Sequence, residues 1–353
     1  MQEAITLKAR ILQRRDAPGA GAAFIESKMP VIEQKEPFLQ QLLQLYGEAG
    51  DKRGVDDTYL RLYRLHPDNP DYQFQYGRVM LNRGREGEAV GMFKRLRTAH
   101  GSSVPVNLAI VRAIAAAKGN AAASADIRAA APGATDAVRQ AYAGFLLDAG
   151  DAAGARAMLR SLADAAPNLS NSDGQAVLAA AELAVGDRAA ARRRADAVLA
   201  VDSVNRRALT ARINIALADR DFEKALGLAR LLVSAYREDA AARILLARVH
   251  KLRREPVLEE SVFRSAAQEL KDSVPVMIAF TDYLTARGDI DAAADAAQDF
   301  TLANPRIRTG WVRQLELCTK AEDDVCAARA RRRLAADAGA RAAAASRQRV
   351  AAL

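Results

Sequence analysis

Rings and thiols are scarce in this chain. Aromatic residues are 5% of the sequence, with a single Trp, and there are three His and two Cys. An interior built on rings is therefore excluded, and the apolar surface must come from the small and aliphatic side chains that bring the hydrophobic share to 50%. The histidines, His66, His100 and His250, stand apart in sequence, and none has a nucleophile placed beside it. His66 and His100 fall near predicted helix ends, where an imidazolium suits the carbonyl terminus. Gly19-Ala20-Gly21 lacks the third glycine and the preceding strand of a dinucleotide loop, and no phosphate loop ending in Gly-Lys-Ser/Thr occurs. These absences point away from an enzyme, a cofactor, a metal site and a small-molecule substrate. No stretch reaches the roughly 20 apolar residues of a membrane helix, and the opening residues carry no apolar signal core. An export signal removed ahead of Met1 stays compatible with the sequence.

Negative charge is missing from one end. The net charge is +9, and beyond Ala327 seven arginines (Arg329, Arg331, Arg332, Arg333, Arg341, Arg347 and Arg349) face the single acid Asp337. The body is close to balanced and shows no basic stripe interleaved with aromatics, so it does not read as a nucleic-acid binder. The tail is the one candidate for such contact.

What is present is repetition. A Gly or polar residue, then a charge, then Ala at the sixth place recurs at Gly84 to Ala89, Gly150 to Ala155, Gly186 to Ala191, Arg220 to Ala225, Gly288 to Ala293 and Glu322 to Ala327. From Arg220 through Arg254 and Gly288 to Glu322 the spacing is about 34 residues, a period of helix-pair arrays. Turns are predicted near Asp16, Gly50, Gly84, Gly119, Gly150, Gly186, Arg220, Arg254, Gly288 and Glu322, giving about ten helix pairs. Glycine suits such points because helix ends favour a left-handed residue, and the following Asp can cap the next helix. Between turns the pattern is helical. Phe222, Ala225, Leu226, Leu228, Leu231 and Leu232 share one face of a helix over 221–235, and Leu209, Ile213 and Ala216 share one face of its partner over 205–218. No strand-length alternation occurs, so no sheet is expected.

The sequence resembles the tetratricopeptide repeat family. The resemblance rests on Trp311 at an early aromatic position, Gly77 at the small position, Tyr46 late in a first helix, Phe93 and Phe263 in second helices, and Pro67, Pro167 and Pro305 at repeat ends. It departs around Gly119, where the unit is short and Ala-rich, and around Arg254, where Glu259 replaces the sixth-place Ala and Pro256 opens the second helix. The resemblance implies an all-α right-handed superhelical solenoid over 1–333, non-catalytic, binding a protein or peptide in its concave groove. Residues 334–353 read as a capping helix or a basic Ala/Arg-rich tail, with Leu334, Ala338, Ala342 and Ala345 spaced for packing. First-helix positions Arg78, Asn82, Arg207, Asn214, Arg248, Lys251, Asp282 and Arg313 are the candidate groove residues, and an ordinary solvated face is the competing reading. The Lys and Asn pair with which chaperone-binding members hold a C-terminal carboxylate is not reproduced; the best copy has Thr210 and Asn214.

Cys318 and Cys326 flank the turn at Glu322 symmetrically, which permits a disulfide across the hairpin and, with it, an oxidising compartment such as the periplasm. Two buried thiols are the alternative. The Ala and Arg bias suggests a GC-rich bacterial genome, and large bacterial tetratricopeptide proteins resembling this one serve envelope systems such as exopolysaccharide secretion. A cytoplasmic adaptor or regulator is the second reading.

Overall fold

The computed structural model describes residues 2–15 and 19–336. Among them every regular element is helical and no strand occurs. The chain divides into two compact units, residues 1–154 and 155–353.

In the first unit the hairpins are α1 (Gln2–Arg15) with α2 (Ala20–Lys28), α3 (Lys35–Ala49) with α4 (Lys52–Leu65), α5 (Pro70–Asn82) with α6 (Glu86–His100), and α7 (Val104–Lys118) with α8 (Asn120–Ala130); α9 (Asp136–Asp148) then leads into α10 (Ala152–Met158), inside which the unit boundary falls. The second unit holds α11 (Ser172–Ala184) with α12 (Arg188–Val201), α13 (Arg206–Ala218) with α14 (Phe222–Ala235), α15 (Ala240–Leu252) with α16 (Pro256–Glu269), α17 (Val274–Ala286) with α18 (Ile290–Ala303), and α19 (Arg308–Lys320) with helical residues 324–336. The ten hairpins expected from the turn spacing are there, and each first helix in the second unit from α13 onward packs on the helix that precedes it.

The hairpin turns explain the period. Gly50, Gly84, Gly119, Gly150, Gly186, Arg220, Arg254, Gly288 and Glu322 all have positive φ, from 57° to 91°. A left-handed residue lets the amide one place further on reach back into the last helical turn. Thus Asp51 N donates to Tyr46 O, Asp187 N to Glu182 O, Asp221 N to Ala216 O and Asp323 N to Cys318 O, each at 2.9 Å. The aspartates then cap the following helix. Asp51, Asp151, Asp187, Asp221 and Asp323 accept from the amides of Gly54, Gly154, Ala190, Lys224 and Cys326. Asp289 makes no such cap, a departure from the pattern. Pro256 occupies the first turn of α16, where its missing N–H costs nothing. The turn expected at Asp16 lies outside the described residues.

Packing follows the sixth-place alanines. Ala89, Ala155, Ala191, Ala225, Ala293 and Ala327 are all buried, because a side chain this small lets the second helix lie close against its partner. On α14 the predicted face holds at Ala225, Leu226 and Leu232, joined by Ala229; Leu231, predicted inside, is instead 39% exposed. On α13 the predicted Leu209, Ile213 and Ala216 are buried. Where a larger residue passes, glycine makes room: a Cβ on Gly77 would stand 2.5 Å from the Phe93 ring.

The period fails over 159–171, where no α-helix forms, and polar side chains do the bonding instead. Gln175, wholly buried, donates to the carbonyls of Leu162 and Ala165, both at 2.7 Å. Arg194 donates to Ala163 O at 3.1 Å and Gln175 Oε1 at 2.6 Å, and pairs with Glu182 at 2.8 Å. These bonds satisfy carbonyls that a regular helix would have satisfied itself. In the first unit a comparable cluster joins Arg97 to Asp126 and, through Asn107 Oδ1, to the Tyr142 hydroxyl at 2.7 Å. Burial first of all holds the Tyr142 hydroxyl above the usual tyrosine range.

Residues 334–336 continue the helix that opens at 324, so Leu334 belongs to the last hairpin. Residues 337–353, including Ala338, Ala342 and Ala345 of the expected cap, lie outside the described residues. Among the described residues no helix is long and apolar enough to cross a membrane.

Candidate partner-binding face

Helices α13, α15, α17 and α19 begin at residues 206, 240, 274 and 308, so their residues correspond place by place. The third residue after the start is Leu209, Arg243, Met277 and Trp311. The eighth is Asn214, Arg248, Asp282 and Glu316. This eighth-place row is solvent-facing: Asn214 is half-buried and the other three are exposed. The fourth-place row beside it, Thr210, Ile244, Ile278 and Val312, is half-buried or exposed, with Ile278 at 37% and Val312 at 43%. A helix keeps residues four apart on one side, so polar and aliphatic rows run together along the same face of successive first helices.

Five of the sequence-derived candidates stand on this face of the second unit. Asn214, Arg248 and Asp282 are in the eighth-place row; Arg207 lies at the first place of α13, and Lys251 at the eleventh of α15. Arg248 makes no hydrogen bond or ion pair among the described residues, so its five donors are open to a ligand. Lys251 is exposed and acts on Glu259 through its charge alone.

Arg313 is placed differently. It is only 14% exposed and is held by three partners: Thr281 Oγ1 at 2.9 Å, Asp282, and Glu316 at 2.9 Å. Its guanidinium links α19 to α17 and balances the two acids of the eighth-place row. In the first unit Arg78 donates to Gln75 at 2.7 Å, approaches Asp56 at 3.4 Å and lies 5.6 Å from the centre of the Tyr59 ring. Burial raises the Asp56 carboxyl, and the charges of Arg78 and Arg83 oppose that rise. Asn82 is exposed at the end of α5.

The turn at Arg254, the one without Gly or Asp, is braced by side chains. His250, buried at the end of α15, sets Nδ1 2.7 Å from Glu255, which also accepts from Arg253 Nε at 2.9 Å; Arg253 reaches Glu223 at 2.6 Å. The hydrogen bond to His250, with that to Arg253, holds the Glu255 carboxyl below its ordinary range. His66 caps α4 with Nε2 2.9 Å from Glu36, and His100 ends α6. Among the described residues no three His, Cys, Asp or Glu side chains converge on a metal position.

Cys318 and Cys326 are joined across the last hairpin, with Cα atoms 5.7 Å apart. Gln314 Nε2 lies 3.2 Å from Cys326 Sγ and Gln314 Oε1 accepts from Thr301 at 2.7 Å, which ties the bridge to α18.

Sequence reasoning did not find the Gln175–Arg194 and Arg97–Asn107–Tyr142 clusters. Their signal, a polar residue at a helix position that periodicity assigns to the core, is visible only once the pairing of helices is known.

No family profile and no curated protein sequence matches the chain. Solved structures of similar fold include PilF of Pseudomonas aeruginosa, 19% identical, aligned over 54% of this chain and 86% of PilF with a TM-score of 0.41. A tetratricopeptide repeat protein from Parabacteroides merdae is 11% identical over 81% of this chain and 99% of its own, with a TM-score of 0.41. Yeast Tom70 is 14% identical over 90% of this chain and 80% of its own, with a TM-score of 0.45. Among the described residues the chain is an all-helical array of hairpins.

Proposed function

We propose that the chain is a tetratricopeptide-type scaffold that performs no chemistry and holds an extended or helical segment of another protein on its first-helix face. The observation that carries this reading is the aliphatic fourth-place row of Ile244, Ile278 and Val312, half-buried or exposed, beside the polar row at the eighth place on α15, α17 and α19. Aliphatic positions supply contact area, and Arg248 and Lys251 supply unspent positive charge for acidic groups of the partner. Arg313 shapes the face by holding Asp282 and Glu316.

The test is affinity capture from the native host with the intact chain and with Arg248→Glu/Lys251→Glu. Loss of one captured protein in the double variant, at unchanged helicity, supports the reading. Equal capture by both proteins overturns it.

The place of action we propose is an oxidising envelope compartment such as the periplasm, in the assembly of an exopolysaccharide or other secretion complex. The Cys318–Cys326 bridge supports it, since structural disulfides persist outside the reducing cytosol. Intact mass with and without reductant, on thiol-blocked protein from the host, checks this. Two free thiols would favour a cytoplasmic adaptor.

A further inference from the structure

The second unit contains the same cleft twice, one period apart, with opposite chemistry. The upstream cleft, of about 330 Å³, is lined by Arg230, Arg237, Arg243, Leu246 and Glu269. The downstream cleft, of about 360 Å³, places Arg264, Lys271, Met277, Phe280 and Ala303 at the corresponding positions. Upstream, Arg243 is paired with Glu269, so an internal ion pair lines the site. Downstream, Met277 and Ala303 replace both partners, and Phe300 joins them, leaving an apolar floor of Met277, Phe280 and Phe300. One period further on, Trp311 stands where Met277 does and fixes its indole N–H on Pro305 O at 3.0 Å.

The rim of the downstream cleft is charged. Arg264 lies 5.8 Å from the centre of the Phe280 ring and is paired with Glu260 at 2.7 Å. Lys271 is exposed and has no ion-pair partner among the described residues. Asp299, also exposed on the rim, opposes a second negative charge. The volume exceeds one amino-acid side chain and lies within the range of small-ligand sites, roughly 300–1,000 Å³.

We propose that the cleft between α16, α17 and α18 is a binding site for a small monoanionic amphiphile, an arene or short acyl chain bearing one carboxylate or sulfonate. The apolar body lies against Met277, Phe280 and Phe300, and the anionic group meets Lys271 with Arg264 beside it. The site is separate from the partner-binding face and does not depend on it: Arg248 and Lys251 take no part in it.

The experiment titrates the intact chain with anilinonaphthalene sulfonate by fluorescence and competes the dye with decanoate and with decanol. Wild-type protein is expected to bind the dye saturably and release it to decanoate more readily than to decanol. Met277→Arg with Ala303→Glu copies the upstream ion pair, so the variant keeps its fold and loses affinity on the order of tenfold, which corresponds to about 1.4 kcal/mol. Circular dichroism melting verifies the fold. Lys271→Glu, at the surface, weakens decanoate by roughly threefold, the scale of an exposed ion pair, and leaves decanol unchanged. Undiminished dye binding by the double variant overturns the site; equal competition by decanol, or no effect of Lys271→Glu, overturns the anionic ligand.

Discussion

A single backbone angle decides much of this molecule. Among the described residues nine hairpin turns need a left-handed residue, and six of them use Gly while Arg220, Arg254 and Glu322 adopt it with a side chain. Gly119 is the extreme case, with φ 86° and ψ 169°, a region open to glycine alone. Gly119→Ala is therefore expected to cost about 1–3 kcal/mol. Arg220→Gly removes left-handed strain and is expected to change stability by less than about 1 kcal/mol, relief being offset by the entropy of the freer unfolded chain. Thermal melts of the two variants make the comparison. Glu259 is the second residue of interest, since it occupies the alanine place of its repeat and is buried. Burial, the largest cause, raises its carboxyl above the ordinary range, against the charges of Lys251, Arg287 and His250. A group raised in the folded state contributes its stability fully below the unfolded pKa and loses it as pH rises through the folded value. Glu259→Ala is thus expected to stabilise the protein more at pH 7 than at pH 4, read as the shift in urea midpoint; an equal shift at both would show that burial is not the cause.

Elements follow the hydrophobic period where it is regular and polar side chains where it is not. The bounds of α13 and α14 were legible because Asn205 and Asp221 cap them and the leucines fall at helical spacing. Leu231 was misplaced because periodicity assigns a face but not its width, and the second-helix core is narrowed to alanine and the residues beside it. In the stretch over 159–171 nothing local says that Gln175 and Arg194 would replace helical hydrogen bonds. Gln175→Leu takes the amide donor from the Leu162 and Ala165 carbonyls and removes one of the three acceptors of Arg194, and is expected to cost about 2–4 kcal/mol. Urea unfolding followed by circular dichroism gives the value, and a cost under half of that would mean water replaces the amide. On the first helices the candidate positions were legible by counting from the turns. Whether a guanidinium there is open, as at Arg248, or already held, as at Arg313, depends on the acids one period away.

At the scale of the whole chain, each unit is a series of near-identical contacts, and its stability is a sum of local terms. The end of such a series is its weakest part, and the Cys318–Cys326 bridge closes the last hairpin of the second unit. A loop this short is expected to contribute about 2–3 kcal/mol, so reduction should lower the melting midpoint and expose 324–336 to protease before the rest of the unit. Simultaneous loss of all segments would contradict that order. The net charge of +9 and the arginines of the C-terminal segment add salt sensitivity to any contact made there, but the balanced body keeps that effect local.

The equivalence of first-helix places has a consequence for how such a chain can change length. Asp239 accepts from the amides of Ala241 and Ala242 at the start of α15, and Ser273 accepts from Val276 at the start of α17. Excising residues 240–273 would place Asp239 directly before Val274, one capping residue substituting for another, and would return a shorter chain with every remaining seam in phase. Removing any other number of residues there would put a capping residue out of step with its helix. The chain is therefore divisible only in whole periods, and its length is in effect counted in integers.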